Sequence, residues 1–355
     1  MDRDIINSIK NLGIDMISEA KSGHPGITLS AAPIIYTLYA KHLNINVNDP
    51  NWLNRDRFVL SAGHASALLY ATLFMAGYNI TVDDLKKYRK AGSKLSGHPE
   101  YNKLLGIDIS TGLLGEGIGN AVGMALASKI LKSKYFFERK NFMEVNSSLI
   151  DYNVYVLCSD GEFMEGISYE AASLAGNLKL NNLIILYDSN NISMDGETSK
   201  TFSENVLDRF KALGWNTEFV KNGDDVNEID KAISRAKGSS KPSIVEIKTV
   251  LGKGSKLQGT NEVHGKVLDK DDISNLKINL GIPDQPFYYN EAAKNKFNQM
   301  IFDRSNKKYE QWANNYRRYV NENLSGQEDV LNYLFNDNVT IDLVNKNFRF
   351  EKDIK

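Results

Sequence analysis

Short apolar runs rich in β-branched residues alternate along this chain with longer stretches in which apolar residues recur every three or four positions. The alternation predicts an α/β fold, a parallel sheet with helices on both faces, because strands buried on two sides read as continuous apolar runs while crossover helices keep a polar face. Four runs predict strands: Arg57 to Leu60, Asn153 to Cys158, Leu183 to Tyr187 and Ser243 to Val250. Helices are predicted over Ile5 to Ala20, Ala31 to Leu43, Ala65 to Ala76, Ile118 to Ser133, Ser168 to Leu178 and Val226 to Ala236. In the first, Ile5, Ile9, Leu12, Ile14, Met16 and Ile17 follow the helical period and are expected to pack along one face.

In an open parallel sheet, ligands bind at the carboxyl edge, where loops approach them while the strands stay rigid. Three runs end there in polar residues: Leu60 leads into Ser61-Ala62-Gly63-His64, Cys158 into Ser159-Asp160-Gly161, and Leu186 into Asp188-Ser189-Asn190. After about Pro286 the text changes to a Lys-, Asn- and aromatic-rich helical stretch through Tyr319, expected as a connecting arm over a partner surface. From Asn336 it turns strand-like, through Val339, Ile341 and Leu343.

Composition narrows the function classes. The 355 residues carry 43 Lys and Arg against 44 Asp and Glu, so no surplus charge argues for nucleic acid or an anionic membrane as partner. A hydrophobic content of 42% suffices for a large core. The one cysteine, Cys158, excludes an internal disulfide framework and fits a reducing, cytoplasmic setting. No run approaches the roughly 20 apolar residues of a membrane helix, and Met1 to Asn11 does not read as a signal peptide.

Four of the five histidines sit beside glycine: Gly23-His24, Gly63-His64, Gly97-His98 and His264-Gly265. Glycine permits close backbone approach to a ligand, and imidazole exchanges protons near neutral pH. Taken singly, each reads as a loop histidine; four together point to a site. His42, at a predicted helix end, reads instead as a solvated cation at the C-terminal dipole. Asp160 and Asn190, each just after a predicted strand, offer hard oxygen ligands suited to Mg²⁺ or Ca²⁺, whose remaining positions a diphosphate can fill; as turn residues alone they would mean nothing. Thr111-Gly112-Leu113-Leu114-Gly115-Glu116-Gly117 opens a predicted helix, and backbone N–H groups at such an end hold phosphate or cover a ring. It lacks the preceding strand of a dinucleotide fingerprint.

These constellations, in this order, resemble transketolase. Ser22 to Gly26, Arg55 to Ser61 with Gly63-His64, Ser96 to Glu100, Thr111-Gly112 with Gly115 and Gly117, and Met164 to Ser168 all match that family's text. The resemblance implies the diphosphate-binding half of a thiamine-diphosphate enzyme, which moves a two-carbon ketol unit between sugar phosphates in the pentose phosphate pathway. It assigns Asp160, Asn190 and the carbonyl of Ile192 to the metal, and His64, Gly112, Leu113, Leu114, Gly161, Asn190 and His264 to the cofactor. His24, His98 and His264 become the catalytic and substrate-binding histidines, and Glu165 a dimer contact. It also implies a diphosphate- and metal-binding domain over 1–285, a helical arm over 286–335 and the truncated start of a pyrimidine-binding domain over 336–355. On that reading the chain is a fragment or a split subunit, inactive until a homodimer or a separate pyrimidine-binding half completes it.

Four positions depart from the family pattern: Ser159 stands for glycine, Leu113 for proline, Glu116 for glutamine and Asn261 for histidine. Glu116 matters most, since an anion near a diphosphate costs affinity unless it is paired or faces solvent. The alternatives are a related ketol transferase (dihydroxyacetone synthase or deoxyxylulose-phosphate synthase) and a non-catalytic scaffold of the same fold. The Ser22 to Gly26 motif disfavours the deoxyxylulose-phosphate synthase.

Overall fold

The computed structural model describes residues 1–101, 104–136 and 149–322. Its elements are α1 (Asp2–Ala20), α2 (Pro25–Ser30), α3 (Ala32–Lys41), β1 (Arg57–Leu60), α4 (Ser66–Met75), α5 (Val82–Leu85), α6 (Glu116–Phe136), β2 (Val154–Ser159), α7 (Gly166–Asn177) and β3 (Leu183–Ser189). There follow β4 (Ile192–Ser193), β5 (Gly196–Glu197), α8 (Val206–Ala212), β6 (Asn216–Val220), α9 (Val226–Lys237), β7 (Ser243–Lys248), α10 (Glu262–Gly265), α11 (Lys270–Leu280) and α12 (Glu291–Glu322). The predicted strand-like stretch after Asn336 lies outside the described residues.

Five parallel strands form one sheet in the order β1-β2-β3-β7-β6. Register and side-chain parity divide the core. Val59, Val156, Ile185 and Ile244 are aligned neighbours and all face the layer of α6, α7 and α8. One residue on, Leu60, Leu157, Leu186 and Val245 are aligned and all face the layer containing α1, α3, α4 and α9. Apolar residues on both parities are what a two-faced sheet requires, so the α/β expectation holds. The shared register also sets the tips of β1, β2 and β3 side by side at one edge.

Two sequence expectations need correction. Helix α1 is buried nearly all round rather than along one face: Asn7 donates to the Leu280 carbonyl (2.7 Å), Asn11 to the Tyr288 carbonyl (2.8 Å), and Asp15 pairs with Lys277 (3.0 Å) while accepting from the Phe287 amide (2.7 Å). Its polar stripe is spent on α11 and the segment before α12. His42 is buried, not solvated; burial, reinforced by Lys237, lowers its pKa to about 4 despite an Asp230 oxygen at 3.0 Å. Arg304 serves the end of α3 in its place, donating to the carbonyls of Ala40 and Leu43. The arm lies on its own chain: Ala293, Phe297 and Ile301 of α12 join the main core, and Trp312 donates to the Leu149 carbonyl (3.0 Å). Phe302 of the same helix stays exposed.

Strand β6 escaped the sequence reading because Asn216–Val220 is a largely polar edge strand.

Candidate functional site at the carboxyl edge

Asp160 follows β2 directly. Its carboxylate accepts from the Tyr187 hydroxyl (2.5 Å) and from the amides of Asn190 and Asn191 (3.1 Å each). Cys158 is aligned with Tyr187 and Ser159 with Asp188, so the β2–β3 register itself delivers these donors. Asn190 is held in turn: its Oδ1 accepts from the Ile192 amide (3.0 Å) and its Nδ2 donates to Asp188 (3.2 Å). Asn191 takes a left-handed backbone, φ 62°, which turns the chain back toward Asp160. Burial raises the pKa of Asp160, and it raises that of Asp188 to about 6. The desolvated Asp160 carboxylate and the Asn190 amide line a pocket that favours a cation, while Asp188 is held by Ser30, Thr249 and Asn190. Among the described residues no three His, Cys, Asp or Glu side chains gather into a metal cluster. A cation here would rest on one carboxylate and neutral oxygens.

Three imidazoles pack together next to this edge. The ring centroids of His24 and His64 are 5.0 Å apart, those of His24 and His264 5.5 Å, and those of His64 and His264 5.3 Å. They arrive from separate elements: His24 caps α2, whose first turn is pre-set by Pro25; His64 lies in the turn after β1; His264 lies in α10. His98 completes the wall against Gly112, where an added Cβ would sit 3.6 Å from its ring. Gly63 packs so closely on Thr111 and Gly112 that a Cβ would come within 2.9 Å of Thr111 Oγ1, and one on Gly117 would come within 2.6 Å of the Ser61 backbone. Leu114 lies against Gly161, so the Gly112 to Leu114 segment bridges the histidines and the Asp160 turn.

Desolvation lowers the pKa of all four histidines, His24 to about 4, so the site presents neutral imidazoles at pH 7. His24 Nδ1, Ser61 Oγ and Thr111 Oγ1 are buried without a hydrogen-bond partner. Buried polar atoms are normally satisfied, so these three orphans suit a polar ligand. A cavity of about 740 Å³ is lined by Asp160, Asn190, Asn191 and Ile192 together with Tyr187 and Lys248, and none of the histidines lines it.

The family model for the transketolase thiamine diphosphate binding domain matches residues 1–337. The chain belongs to the transketolase family. It is 48% identical over 310 residues to a probable transketolase of Streptococcus pneumoniae, covering 87% of this chain and 46% of that protein. It is 42% identical over 354 residues to a transketolase of Aquifex aeolicus, covering 100% and 50%. The solved transketolase of Pichia stipitis in complex with sedoheptulose 7-phosphate matches with a TM-score of 0.88 at 40% identity, over 94% of this chain and 48% of that one. Transketolase from Campylobacter jejuni matches with a TM-score of 0.83 at 40% identity, over 95% and 50%. The chain thus spans about half the length of the relatives it matches.

The departures from the transketolase pattern have local explanations. Glu116 is exposed in the first turn of α6, where solvent screens it and the helix dipole favours it. Ser159 donates from its hydroxyl (3.1 Å) and amide (3.0 Å) to buried Glu162, a second donor that glycine could not supply. Leu113 is 69% exposed, so proline's rigidity is lost without a packing penalty. Asn261 reaches the Met194 carbonyl at 3.5 Å. Glu165 is exposed at the start of α7, beside Gly115. Sequence reasoning missed Tyr187, for which strand parity was a signal, and placed Asp188, Ser61 and Thr111 in the polar clusters without giving them a role.

Proposed function

We propose that this chain is the diphosphate- and metal-binding half of a transketolase, with residues 1–285 forming that domain and 286–335 its arm. Asp160, Asn190 and the Ile192 carbonyl would hold Mg²⁺ or Ca²⁺, which would supply positive charge for the cofactor diphosphate. Gly161, His64, His264 and the Gly112 to Leu114 segment contact the cofactor. When bound, thiamine diphosphate supplies an electron sink for the pair released as a ketose carbon–carbon bond breaks. The chain's residues do the rest. His24 and His264, kept neutral by burial, accept a proton from a sugar hydroxyl and return it; His24, His98 and His264 hydrogen-bond the substrate hydroxyls and orient them. Substrates are a ketose phosphate donor and an aldose phosphate acceptor in the pentose phosphate pathway of the cytoplasm. A pyrimidine-binding half completes the site across a homodimer contact that includes Glu165, or on a separate chain.

The supporting observation is the convergence of the Asp160–Asn190 pair and three mutually packed imidazoles at one sheet edge, linked by the Gly112 to Leu114 segment. Titration calorimetry with thiamine diphosphate tests it. Binding is expected to require Mg²⁺ and to weaken by at least about tenfold in Asp160→Ala, the loss of a charged hydrogen-bonding partner. Metal-independent binding that is equal in wild type and variant would overturn the reading.

A further inference from the structure

Arg89 takes a left-handed backbone, φ 60°, unusual for a long side chain and sustained only where surroundings over-determine it. Its amide donates to the Leu95 carbonyl (2.9 Å), which closes the loop leading to His98. The side chain is half-buried, and its guanidinium turns into the protein. Nη1 donates to Ser22 Oγ (2.7 Å), Nη2 to the Gly97 carbonyl (3.4 Å) and Nε to the Tyr88 hydroxyl (3.1 Å). Ser66 Oγ commits its single proton to the Gly97 carbonyl (2.7 Å), so across the 2.9 Å contact between Tyr88 and Ser66 the tyrosine must donate. A directed relay follows, from Arg89 Nε through Tyr88 and Ser66 to Gly97, parallel to the direct bond from Nη2.

Ser22 and Gly97 each stand two or fewer residues before a histidine of the wall, His24 and His98. The two loops are far apart in sequence, and between α5 and α6 the segment carrying His98 has no helix or strand among its described residues. We propose that Arg89 is a positioning residue that clips the Ser22–His24 and Gly97–His98 loops together and so fixes the wall of imidazoles that faces the substrate. A planar fork with donors on three sides can bind both loops at once; a lysine ammonium on a flexible stem cannot reproduce that geometry. With three donors engaged by the protein, the guanidinium acts by holding the loops. Its charge is felt selectively as well. Arg89 disfavours the imidazolium form of His24 and His98, whereas the charges acting on His64 come from the other histidines, and His264 responds to burial alone. The other titratable groups facing His24 are His64, His264 and His98.

This inference deepens the reading of His24 and His98 as substrate-facing groups. It is tested on the cofactor-free 355-residue chain, so its failure is distinguishable from failure of the calorimetric test. Hydrogen exchange is compared among wild type, Arg89→Lys and Arg89→Gln, alongside NMR titration of the imidazoles. Both variants are expected to exchange at least about tenfold faster across residues 22–26 and 95–99, with β2 and β3 unchanged, since local opening is independent of global unfolding. Arg89→Gln should raise the titration midpoints of His24 and His98 and leave His264 in place, while Arg89→Lys, which keeps the charge, should move neither. Unchanged exchange in both variants overturns the proposal. So does faster exchange spread over the whole sheet, which would make Arg89 an ordinary structural residue.

Discussion

The two sides of the site are built in opposite ways. The Asp160–Asn190 side is made by two adjacent strands whose register brings a carboxylate, two backbone amides and a tyrosine hydroxyl within hydrogen-bond distance, each satisfied by a near neighbour. The histidine side is assembled from four loops spread from His24 to His264, held by glycine-permitted close packing, and it keeps buried polar atoms unpaired. Regular hydrogen bonding pre-forms a polar turn at little cost, because the ladder has already ordered the backbone. A wall of convergent imidazoles needs side chains aimed from several directions, and only long-range packing supplies them.

Perturbations can separate the two. The largest effect is expected from Gly117→Val, whose branched side chain would meet the Ser61 backbone where even a Cβ stands at 2.6 Å. Overpacking of this kind costs about 1–3 kcal/mol or more, read by urea denaturation, and the His64 resonances should shift while the β2–β3 amides do not. Uniform shifts would show that the sides are not independent. Tyr187→Phe removes one donor from the Asp160 carboxylate and should lower stability by about 1.5–3 kcal/mol, with the imidazole titrations untouched.

A smaller effect is expected in the pH dependence. His24 titrates near 4 when folded and near 6.5 when unfolded. Between those values the unfolded chain takes up a proton that the folded chain refuses, so stability falls as pH drops from about 6.5 toward 4. His24→Gln should make that part of the profile shallower, the other buried histidines still contributing, measured by denaturation at pH 7 and pH 5; an unchanged slope would mean that His24 is not desolvated. Smallest of all, Glu116→Gln should leave stability within about 0.5 kcal/mol and the affinity for thiamine diphosphate unaltered, because Glu116 faces solvent.

Most of the scaffold was legible from local pattern. The runs at Arg57, Asn153, Leu183 and Ser243 became strands within one or two residues because buried parallel strands must be apolar on both parities. Glycine next to histidine marked the wall; at Gly23 and Gly63 close approach excludes a Cβ, while at Gly265 a Cβ would meet His24 only at ordinary contact distance. Asp160 and Asn190 were visible because a parallel sheet places ligands at strand ends. Edge strand β6 was hidden by its polar residues, which carry no periodic signal, and His42 was misplaced because nothing near it in sequence announces that α9 and α12 cover the end of α3.

Local chemistry thus dictated which residue types stand at each strand tip and which turns glycine allows, since both depend on near neighbours along the chain. Folding in three dimensions settled the remainder: that Tyr187 points at Asp160, that Arg89 reaches both Ser22 and Gly97, and that burial strips four imidazoles of charge. Those properties depend on what lies across space, and desolvation and directed hydrogen bonds are set by neighbours that a linear reading cannot see.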